Sequence, residues 1–340
     1  MKIQLQSLRV INCGPLRDVC IHFATDGDSP TTVLAGANGS GKTTVLELIA
    51  ALAELLNPNP RDTSILEPLY RADYAQMDWL VNDDKLSICY GQSPPDAVVA
   101  VDQLRKPKRG TDVATVVSGD VLKLVRETIR QQQQTFMTSE DVLKLDDETF
   151  YRAIGTPYSG APCLLFLPHS RFLLPLRGEK VQREELPYQW VHRYEPATSY
   201  EGSLDSLLIW LEYAEPEMFT RIVEFLNDLD FDGKTFGVRR KALKGTVTTR
   251  DGKQHYLEAL SSGEQNILIM LMELRCRLLP HSIVLIDEIE NSLHPAFQHR
   301  IVNGLKRLQE IIPFQLIVTS HSPTILEAFG TQSARILTQF

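Results

Sequence analysis

A glycine-rich segment between an apolar run and a helical pattern has the composition of a phosphate-binding loop. Glycines let successive backbone N–H groups turn toward phosphate oxygens, a lysine reaches the β- and γ-phosphates, and the hydroxyl after it can bind Mg²⁺. The apolar run ends at Ala35, and apolar residues at helical spacing begin at Val45. The predicted ATP-binding residues are Gly36, Ala37, Asn38, Gly39, Ser40, Gly41, Lys42, Thr43 and Thr44.

Two adjacent carboxylates follow a second apolar run. Residues 283–286 are all apolar without alternation, which indicates a strand buried on both faces. Asp287 and Glu288 come next, at the end of the strand where open α/β sheets place their ligands. We predict that Asp287 and Thr43 hold Mg²⁺ and that Glu288 orients or deprotonates the attacking water. A solvated strand end is the alternative, and the phosphate loop argues against it.

A histidine follows a third apolar run, at residues 314–318. Ser322 is suited to cap a helix and Pro323 to occupy its first position, so His321 should lie at the same sheet edge as Lys42 and Asp287. The imidazole could hydrogen-bond the γ-phosphate or the catalytic carboxylate, or it could be an ordinary polar residue at a strand end. We predict a catalytic role for His321.

A fourth segment begins a helix with small polar residues. Ser261, Ser262, Gly263 and Glu264 precede leucines and isoleucines at helical spacing. Such a turn directs N–H groups and the positive end of a helix dipole at an anion. Because one loop already surrounds the nucleotide, this helix start is predicted to bind nucleotide held by a second copy of the chain.

These segments together resemble the ATP-binding-cassette ATPases, and more narrowly the heads of the SMC, RecF and OLD-like group. Residues 36–44 are similar to the Walker A motif, 260–265 to the signature and 283–288 to the Walker B motif, and His321 is similar to the switch histidine. Residues 290–295, with the sequence ENSLHP, resemble the D-loop of the RecF/OLD type. The resemblance implies ATP and Mg²⁺ as ligands and a dimer with nucleotide between Walker A and signature.

Two further residues are placed by the same resemblance. Residues 165–171 are similar to a strand followed by an arginine in these relatives, although Arg171 could instead cap a contact between lobes. Gln76 is a candidate for the glutamine that contacts Mg²⁺. The resemblance is closest at both ends of the chain, over residues 1–56 and 256–329, and between them it extends to residues 165–171 and Gln76.

Composition is that of a soluble globular protein. Charged residues make up 23% of the 340 residues, and 35 Lys+Arg against 43 Asp+Glu give a net charge of −8, which argues against a protein that coats nucleic acid. The five cysteines are scattered without CxxC spacing, which favours a reducing compartment. No apolar stretch is long enough for a spanning helix, and we expect a cytoplasmic protein without a membrane partner.

The predicted fold class is α/β, a P-loop NTPase of the ABC/RecF-like head type with an inserted, partly helical lobe. Residues 1–60 and 235–340 are predicted to form two halves of one ATPase core, because both ends alternate strand and helix patterns. Residues 61–234 are predicted to form the inserted lobe. The middle shows no sustained heptad pattern, which excludes a long coiled coil.

The predicted function is an ATP-binding and ATP-hydrolysing switch that forms a homodimer or higher oligomer. Its output would be DNA transactions or anti-phage defence through a separately encoded nuclease or other effector. Basic segments at 105–109 and 239–244 could contact DNA or could be solvated loops. The alternatives are the ATPase subunit of a membrane transporter and a nucleotide-bound scaffold with negligible turnover.

Overall fold

In the described part of the chain, runs of strands are separated by helices. The computed structural model describes residues 1–27, 29–59, 64–92, 102–103, 115–117, 119–134, 161–173, 188–196, 203–228 and 233–337. The basic segment at 105–109 lies outside these residues. The strands are β1 (Ile3–Cys13), β2 (Leu16–His22), β3 (Thr31–Gly36), β4 (Tyr74–Val81), β5 (Asp84–Gly91), β6 (Asp102–Gln103), β7 (Thr115–Val117), β8 (Leu164–Leu167), β9 (Val191–Arg193), β10 (Thr235–Arg239), β11 (Lys244–Thr248), β12 (Gln254–Tyr256), β13 (Ile283–Ile286), β14 (Gln315–Ser320) and β15 (Ala334–Leu337).

Each half of the chain contributes helices. The α-helices are α1 (Lys42–Glu54), α2 (Gly119–Gln134), α3 (Leu204–Ala214), α4 (Pro216–Asp228), α5 (Ser262–Arg277), α6 (Pro295–Ile311) and α7 (Pro323–Phe329). Pro295 and Pro323 stand at the starts of α6 and α7, where a missing N–H costs nothing. Within the described ranges, no helix combines the length and the apolar character needed to cross a bilayer.

A six-stranded parallel sheet with the order β15-β3-β14-β13-β8-β9 lies between two hydrophobic clusters. Successive side chains of a strand point to opposite faces. Leu285 and Ile317 therefore belong to the cluster on one face, whereas Ile286 and Val318 belong to the cluster on the other. Burial on both faces explains why these strands are continuously apolar, as predicted for residues 283–286.

One face of the parallel sheet is covered by α1 and by an antiparallel sheet with the order β2-β1-β4-β5-β7-β6. The amide of Gln315 joins the two sheets. Its Oε1 accepts from the N–H of Leu5 at 2.7 Å, and its Nε2 donates to the carbonyl of Leu5 at 2.9 Å. A buried amide that is bonded at both ends fixes β1 relative to β14.

The other face is covered by helices α3 to α7 and by the three-stranded sheet β10-β11-β12. β11 and β12 form a hairpin, and its turn contains the Asp251-Gly252 pair that is typical of hairpin turns, with Gly252 at φ +80°. Leucines of α3 and isoleucines of α5 pack in the same cluster as alternate residues of the parallel strands.

The sheets divide the chain differently from the predicted boundaries at residues 60 and 235. β4 pairs with β1 along its whole length, and β8 and β9 lie in the parallel sheet beside β13. Much of the described part of 61–234 is therefore core and not an inserted lobe. The sequence patterns locate strands, but strand partners far apart in the chain are decided by tertiary packing.

The carboxyl ends of four parallel strands meet at one edge of the sheet. Ala35 is paired with Ser320, and Ile286 is paired with both Val318 and Leu167. These registers bring the segments that follow β3, β8, β13 and β14 to the same level, the position where α/β sheets bind ligands.

Candidate nucleotide site

The phosphate loop connects β3 directly to α1. Gly39 and Gly41 adopt left-handed backbone angles, with φ +76° and +93°, which residues with a side chain rarely adopt. Gly36 is needed for a different reason, because a Cβ there would lie 2.6 Å from the carbonyl oxygen of Leu337 and 2.7 Å from Oγ of Ser40. The loop therefore needs glycine at these positions to bend its backbone tightly.

Lys42 points back over this loop. Its Nζ donates to the carbonyls of Gly36 and Ala37 at 3.0 and 2.9 Å, and the residue is 5% exposed. Burial lowers the pKa of Lys42, while the carboxylates of Asp287 and Glu288 act in the opposite direction. The loop thus holds a partly desolvated cation, suited to bind phosphate oxygens.

Thr43 and Asp287, the predicted Mg²⁺ ligands, are in direct contact. Oγ1 of Thr43 lies 3.1 and 2.9 Å from the two carboxylate oxygens of Asp287, which is fully buried. The hydroxyl of Thr319 also donates to Asp287, at 2.7 Å. Hydroxyl and carboxylate oxygens are the ligands that Mg²⁺ prefers, so the donors present fit the ion.

Glu288 has a left-handed backbone conformation, with φ +45°. A residue with a side chain is strained there and keeps that conformation only where its surroundings hold it. Its N–H donates to Oγ1 of Thr319 at 2.7 Å, and its carbonyl accepts from Arg171 at 3.0 Å and from the N–H of Asn291 at 2.9 Å. The fold thus fixes the backbone that carries the predicted base.

His321 follows β14 at the same sheet edge, as predicted. Its backbone N–H donates to a carboxylate oxygen of Glu290, and its side chain is exposed. Ser322 donates to Gln298 of α6 at 2.5 Å. The segments after β13 and β14 are therefore tied together next to Asp287.

Three further residues, to which the sequence analysis assigned no role, also lie at the site. Thr319 bridges Asp287 and Glu288, Glu290 holds the backbone of His321, and Nδ1 of His169 lies 3.4 Å from the carboxylate of Asp287. Thr319 and Glu290 lie close in sequence to predicted site residues. A single hydroxyl or carboxylate at these positions forms no sequence pattern that would indicate its role.

Gln76 lies in a different polar cluster. Its amide contacts Tyr74 and Asp78 within the antiparallel sheet. The described contacts therefore give no support to a role for Gln76 at Mg²⁺.

Arg171 is buried behind the end of β13, with 6% exposure. Burial lowers its pKa to about 10, and the nearby carboxylates of Asp287 and Glu288 limit the shift. The side chain donates to the backbone carbonyls of both Asp287 and Glu288. Arg171 thus supports the segment that carries the carboxylates.

The signature segment begins α5 with a reciprocal cap. Ser261 Oγ accepts from the N–H of Glu264 at 3.3 Å, and the Glu264 carboxylate accepts from the N–H of Ser261 at 3.0 Å. Lys234 donates to Glu264 at 2.5 Å. Burial would raise the pKa of Glu264, but the bonds from Lys234 and Ser261 outweigh burial and lower it.

The same helix start packs against the segment after β13. A Cβ on Gly263 would lie 2.5 Å from the carbonyl oxygen of Ser292, so only glycine allows this approach. Asn266 donates to the carbonyl of Asn291 at 2.9 Å. The signature and the D-loop-like segment of one chain therefore form one packed unit.

Two family models match the chain. Residues 161–327 match a model described as "AAA domain, putative AbiEii toxin, Type IV TA system", and residues 7–95 match a model described as "AAA domain". The matched ranges contain the phosphate loop, the signature, Asp287, Glu288 and His321.

Curated relatives carry the word ATPase in their names. The chain is 37% identical over 89 residues to "Retron Ec83 probable ATPase" of Escherichia coli, covering 23% of this chain and 16% of the relative. It is 26% identical over 130 residues to "Retron Vc95 probable ATPase" of Vibrio cholerae serotype O1 biovar El Tor, covering 35% of this chain and 24% of the relative. The matches thus span less than a quarter of either relative.

A solved structure, "SMC head domain from Thermotoga maritima", superimposes with a TM-score of 0.47 and 14% identity, over 96% of this chain and 92% of the other. The phosphate loop, the Thr43–Asp287 contact and the matched models agree with each other. The chain is therefore similar to AAA domains over the two matched ranges, and it carries the phosphate loop of a P-loop ATPase.

Proposed function

We propose that this protein is an ATP-hydrolysing switch that dimerises around its nucleotide. The observation that carries the proposal is the contact between Thr43 and Asp287, which are 244 positions apart in the chain. This contact places the phosphate loop next to the strand end that bears Glu288. A bound γ-phosphate and the base would then share one edge of the sheet.

The chain's own residues divide the chemistry among them. On ATP binding, the ammonium group of Lys42 moves from loop carbonyls to β- and γ-phosphate oxygens. Glu288 accepts a proton from the attacking water, whose oxygen bonds to the γ-phosphorus while the bond to the ADP oxygen breaks. His321 hydrogen-bonds the γ-phosphate or Glu288. Thr43 and Asp287 would hold Mg²⁺, which neutralises phosphate charge when bound.

Dimerisation would complete each site with the signature of the other copy. The hydroxyl of Ser261 and the N–H groups at the start of α5, including Ser262 and Gly263, would bind the γ-phosphate in trans. The carboxylate of Glu264 would repel phosphate, but Lys234 already neutralises it. A phosphate-dependent contact of this kind gives ATP its differential affinity for the dimer.

We further propose that the ATPase acts in anti-phage defence or DNA transactions through a separately encoded effector. Both curated relatives are named as probable ATPases of retrons, and this similarity supports a defence role. The net charge of −8 argues against wide contact with DNA, so direct DNA binding would be local.

Light scattering tests the dimer. The Glu288→Gln variant should be monomeric without nucleotide and should double its mass with ATP and Mg²⁺, because hydrolysis no longer releases the dimer. Adding Ser261→Arg should keep it monomeric, since the side chain would fill the phosphate position. Thr220→Arg, on the exposed side of α4, is the matched control and should still dimerise.

A mass that does not depend on nucleotide and survives Ser261→Arg would reject ATP-driven association. The protein would then be a constitutive dimer in which ATP changes only the angle between heads. A monomer under every condition would reject trans completion of the site.

Native mass spectrometry of the tagged protein from its own host tests the output. A co-purifying nuclease or other soluble enzyme supports the effector hypothesis. A co-purifying integral membrane protein would instead support the transporter alternative.

A further inference from the structure

The guanidinium group of Arg171 contacts three parts of the ATPase site at once. Arg171 lies in the loop after β8. Its Nη1 donates to the carbonyls of Leu167, Pro168 and Asp287, at 3.2, 2.6 and 2.9 Å. Nη2 donates to the carbonyl of Glu288 at 3.0 Å. Because the planar guanidinium has donors at fixed angles, it holds these carbonyls in a fixed arrangement.

The remaining donor of Arg171 reaches the signature helix. Its Nε lies 2.5 Å from Oδ1 of Asn266, which is one turn into α5 and 3% exposed. The other end of the same amide donates to the carbonyl of Asn291 at 2.9 Å. Asn291 in turn donates to the carbonyl of His169 at 2.9 Å. A chain of buried and half-buried hydrogen bonds thus joins α5, the loop after β8 and the segment after β13.

This network ends at Glu288, a non-glycine residue with a left-handed backbone. Glu288, at φ +45°, is held on its N–H side by Thr319 and on its carbonyl side by Arg171 and Asn291. A left-handed non-glycine residue relaxes when its surroundings stop holding it. A shift of α5 would therefore displace the backbone of Glu288, because Asn266 and Arg171 connect the two through hydrogen bonds.

We propose that Arg171 is a positioning residue that couples engagement of the signature helix to the placement of Glu288. Binding of the γ-phosphate of a second copy at Ser261 would pull on α5. Asn266 and Arg171 would transmit this displacement to the carbonyl of Glu288 and bring its carboxylate into line with the attacking water. This inference rests on the proposed ATP-driven dimer and names the connection inside each copy.

Arg171→Lys is the central test, because lysine keeps the charge but cannot contact Asn266 and Glu288 together. Turnover at saturating ATP should fall by about 100-fold, the effect of misplacing a catalytic group by about 1 Å. ATP affinity and ATP-driven dimerisation should stay within about twofold, since neither uses the carboxylate of Glu288. Asn266→Ala, which breaks the link to α5 and leaves the arginine in place, should lower turnover in the same way.

Arg277→Lys is the matched control. Arg277 is a partly buried arginine at the end of α5, and its Nε donates to Glu273 at 2.9 Å. Its replacement should leave turnover near the parental value. An equal fall in turnover for Arg277→Lys and Arg171→Lys would show a general cost of replacing an ion-paired or hydrogen-bonded arginine and would overturn the proposal.

A double variant separates positioning from folding. With Glu288→Gln the base is already absent, so adding Arg171→Lys should cause no further loss in single-turnover hydrolysis. A further loss of the full single-variant size would show that Arg171 acts independently of Glu288 and would overturn the inference. If Arg171→Lys does not fold, Asn266→Ala carries the same comparison, and parental turnover in Asn266→Ala overturns it.

The two proposals fail differently. If the parental protein and Glu288→Gln never dimerise with ATP, the proposed switch is wrong. If they do dimerise and Arg171→Lys retains parental turnover, the switch stands and only the role of Arg171 is wrong.

Discussion

The side chain of Lys42 lies where it can bind phosphate. Its ammonium group is held against the carbonyls of Gly36 and Ala37, and burial lowers its pKa. Neutral carbonyls form weaker hydrogen bonds with an ammonium group than charged phosphate oxygens do. Transfer of the ammonium group from the loop to a nucleotide is therefore favourable.

We therefore expect Lys42→Ala to abolish measurable ATP binding. The variant loses the charge at the β- and γ-phosphates, while the glycine loop that surrounds it keeps its geometry. Isothermal titration calorimetry measures the affinity, and Lys306→Ala, an exposed lysine on α6, is the control. An ATP affinity equal to that of the parental protein in Lys42→Ala would show that this loop does not bind the nucleotide phosphates.

Two carboxylates, Glu288 and Glu290, follow Asp287, and the contacts distinguish them. Glu290 binds the backbone N–H of His321, whereas Glu288 carries the strained backbone. Glu288→Gln should lower turnover by about 10²–10⁴-fold with ATP affinity unchanged, because glutamine cannot accept the proton. Glu290→Gln should lose less than about tenfold, because an amide oxygen can still accept from His321. The reverse order in a steady-state phosphate-release assay would assign the base to Glu290.

At the scale of elements, the start of α5 fits against the segment after β13 only through a glycine. In Gly263→Ala, the new Cβ would lie 2.5 Å from a backbone oxygen of Ser292, and backbone cannot move aside cheaply. We expect a loss of about 1–3 kcal/mol in the free energy of unfolding.

Chemical denaturation measures this loss. Gly237→Ala in β10 is the control, since its nearest neighbour would be Oγ1 of Thr246 at an ordinary 3.6 Å. Equal midpoints for the two variants would mean that the helix start moves freely relative to the segment after β13.

A buried charged cluster joins β9 to α5. Nε2 of His192 lies 3.0 Å from Glu273, and Nδ1 lies 2.8 Å from Gln189. Burial, and then the charge of Arg277, lower the pKa of His192 below its ordinary 6.5, while Glu273 opposes them. The folded protein therefore keeps this imidazole neutral at a pH where the unfolded chain would protonate it.

Stability should consequently fall as the pH drops below about 6.5. Because the pKa of His192 is lower in the folded state, its contribution to the free energy of unfolding is complete at a pH above the unfolded-state pKa. That contribution is lost as the pH falls toward the folded-state pKa. Urea midpoints between pH 7.5 and 5.5 measure the slope. His192→Gln should flatten it, and an unchanged slope in that variant would show that other groups cause the acid sensitivity.

At the scale of the whole molecule, nucleotide identity should decide the oligomeric state. A ligand shifts an equilibrium only by its differential affinity for the two states, and the predicted difference lies in the γ-phosphate contacts of Ser261. ADP should therefore dimerise Glu288→Gln poorly at concentrations where ATP saturates it. Sedimentation velocity with each nucleotide measures the dimer fraction. Equal dimer fractions with ADP and ATP would show that the γ-phosphate contacts of Ser261 do not drive dimerisation.

The sequence alone determined the local parts of this protein. The glycine loop, the apolar strands before Asp287 and His321, and the proline-started helices follow from short-range sterics and burial, and the structure contains each of them. Those features also sufficed to predict an ATPase domain of P-loop type, which the family models confirm. Whether Ser261 acts in trans stays a prediction.

Only the tertiary structure decided which distant segments meet. Strand pairing placed β8 beside β13, inside a region predicted to be a lobe, and this brought Arg171 behind Glu288 and His169 next to Asp287. It also made Thr319 the bridge between the two carboxylates. Arg171 and Glu288, for example, are 117 positions apart. No local pattern encodes such partners, because side-chain period and turn chemistry act over a few residues while register is set by the packed core.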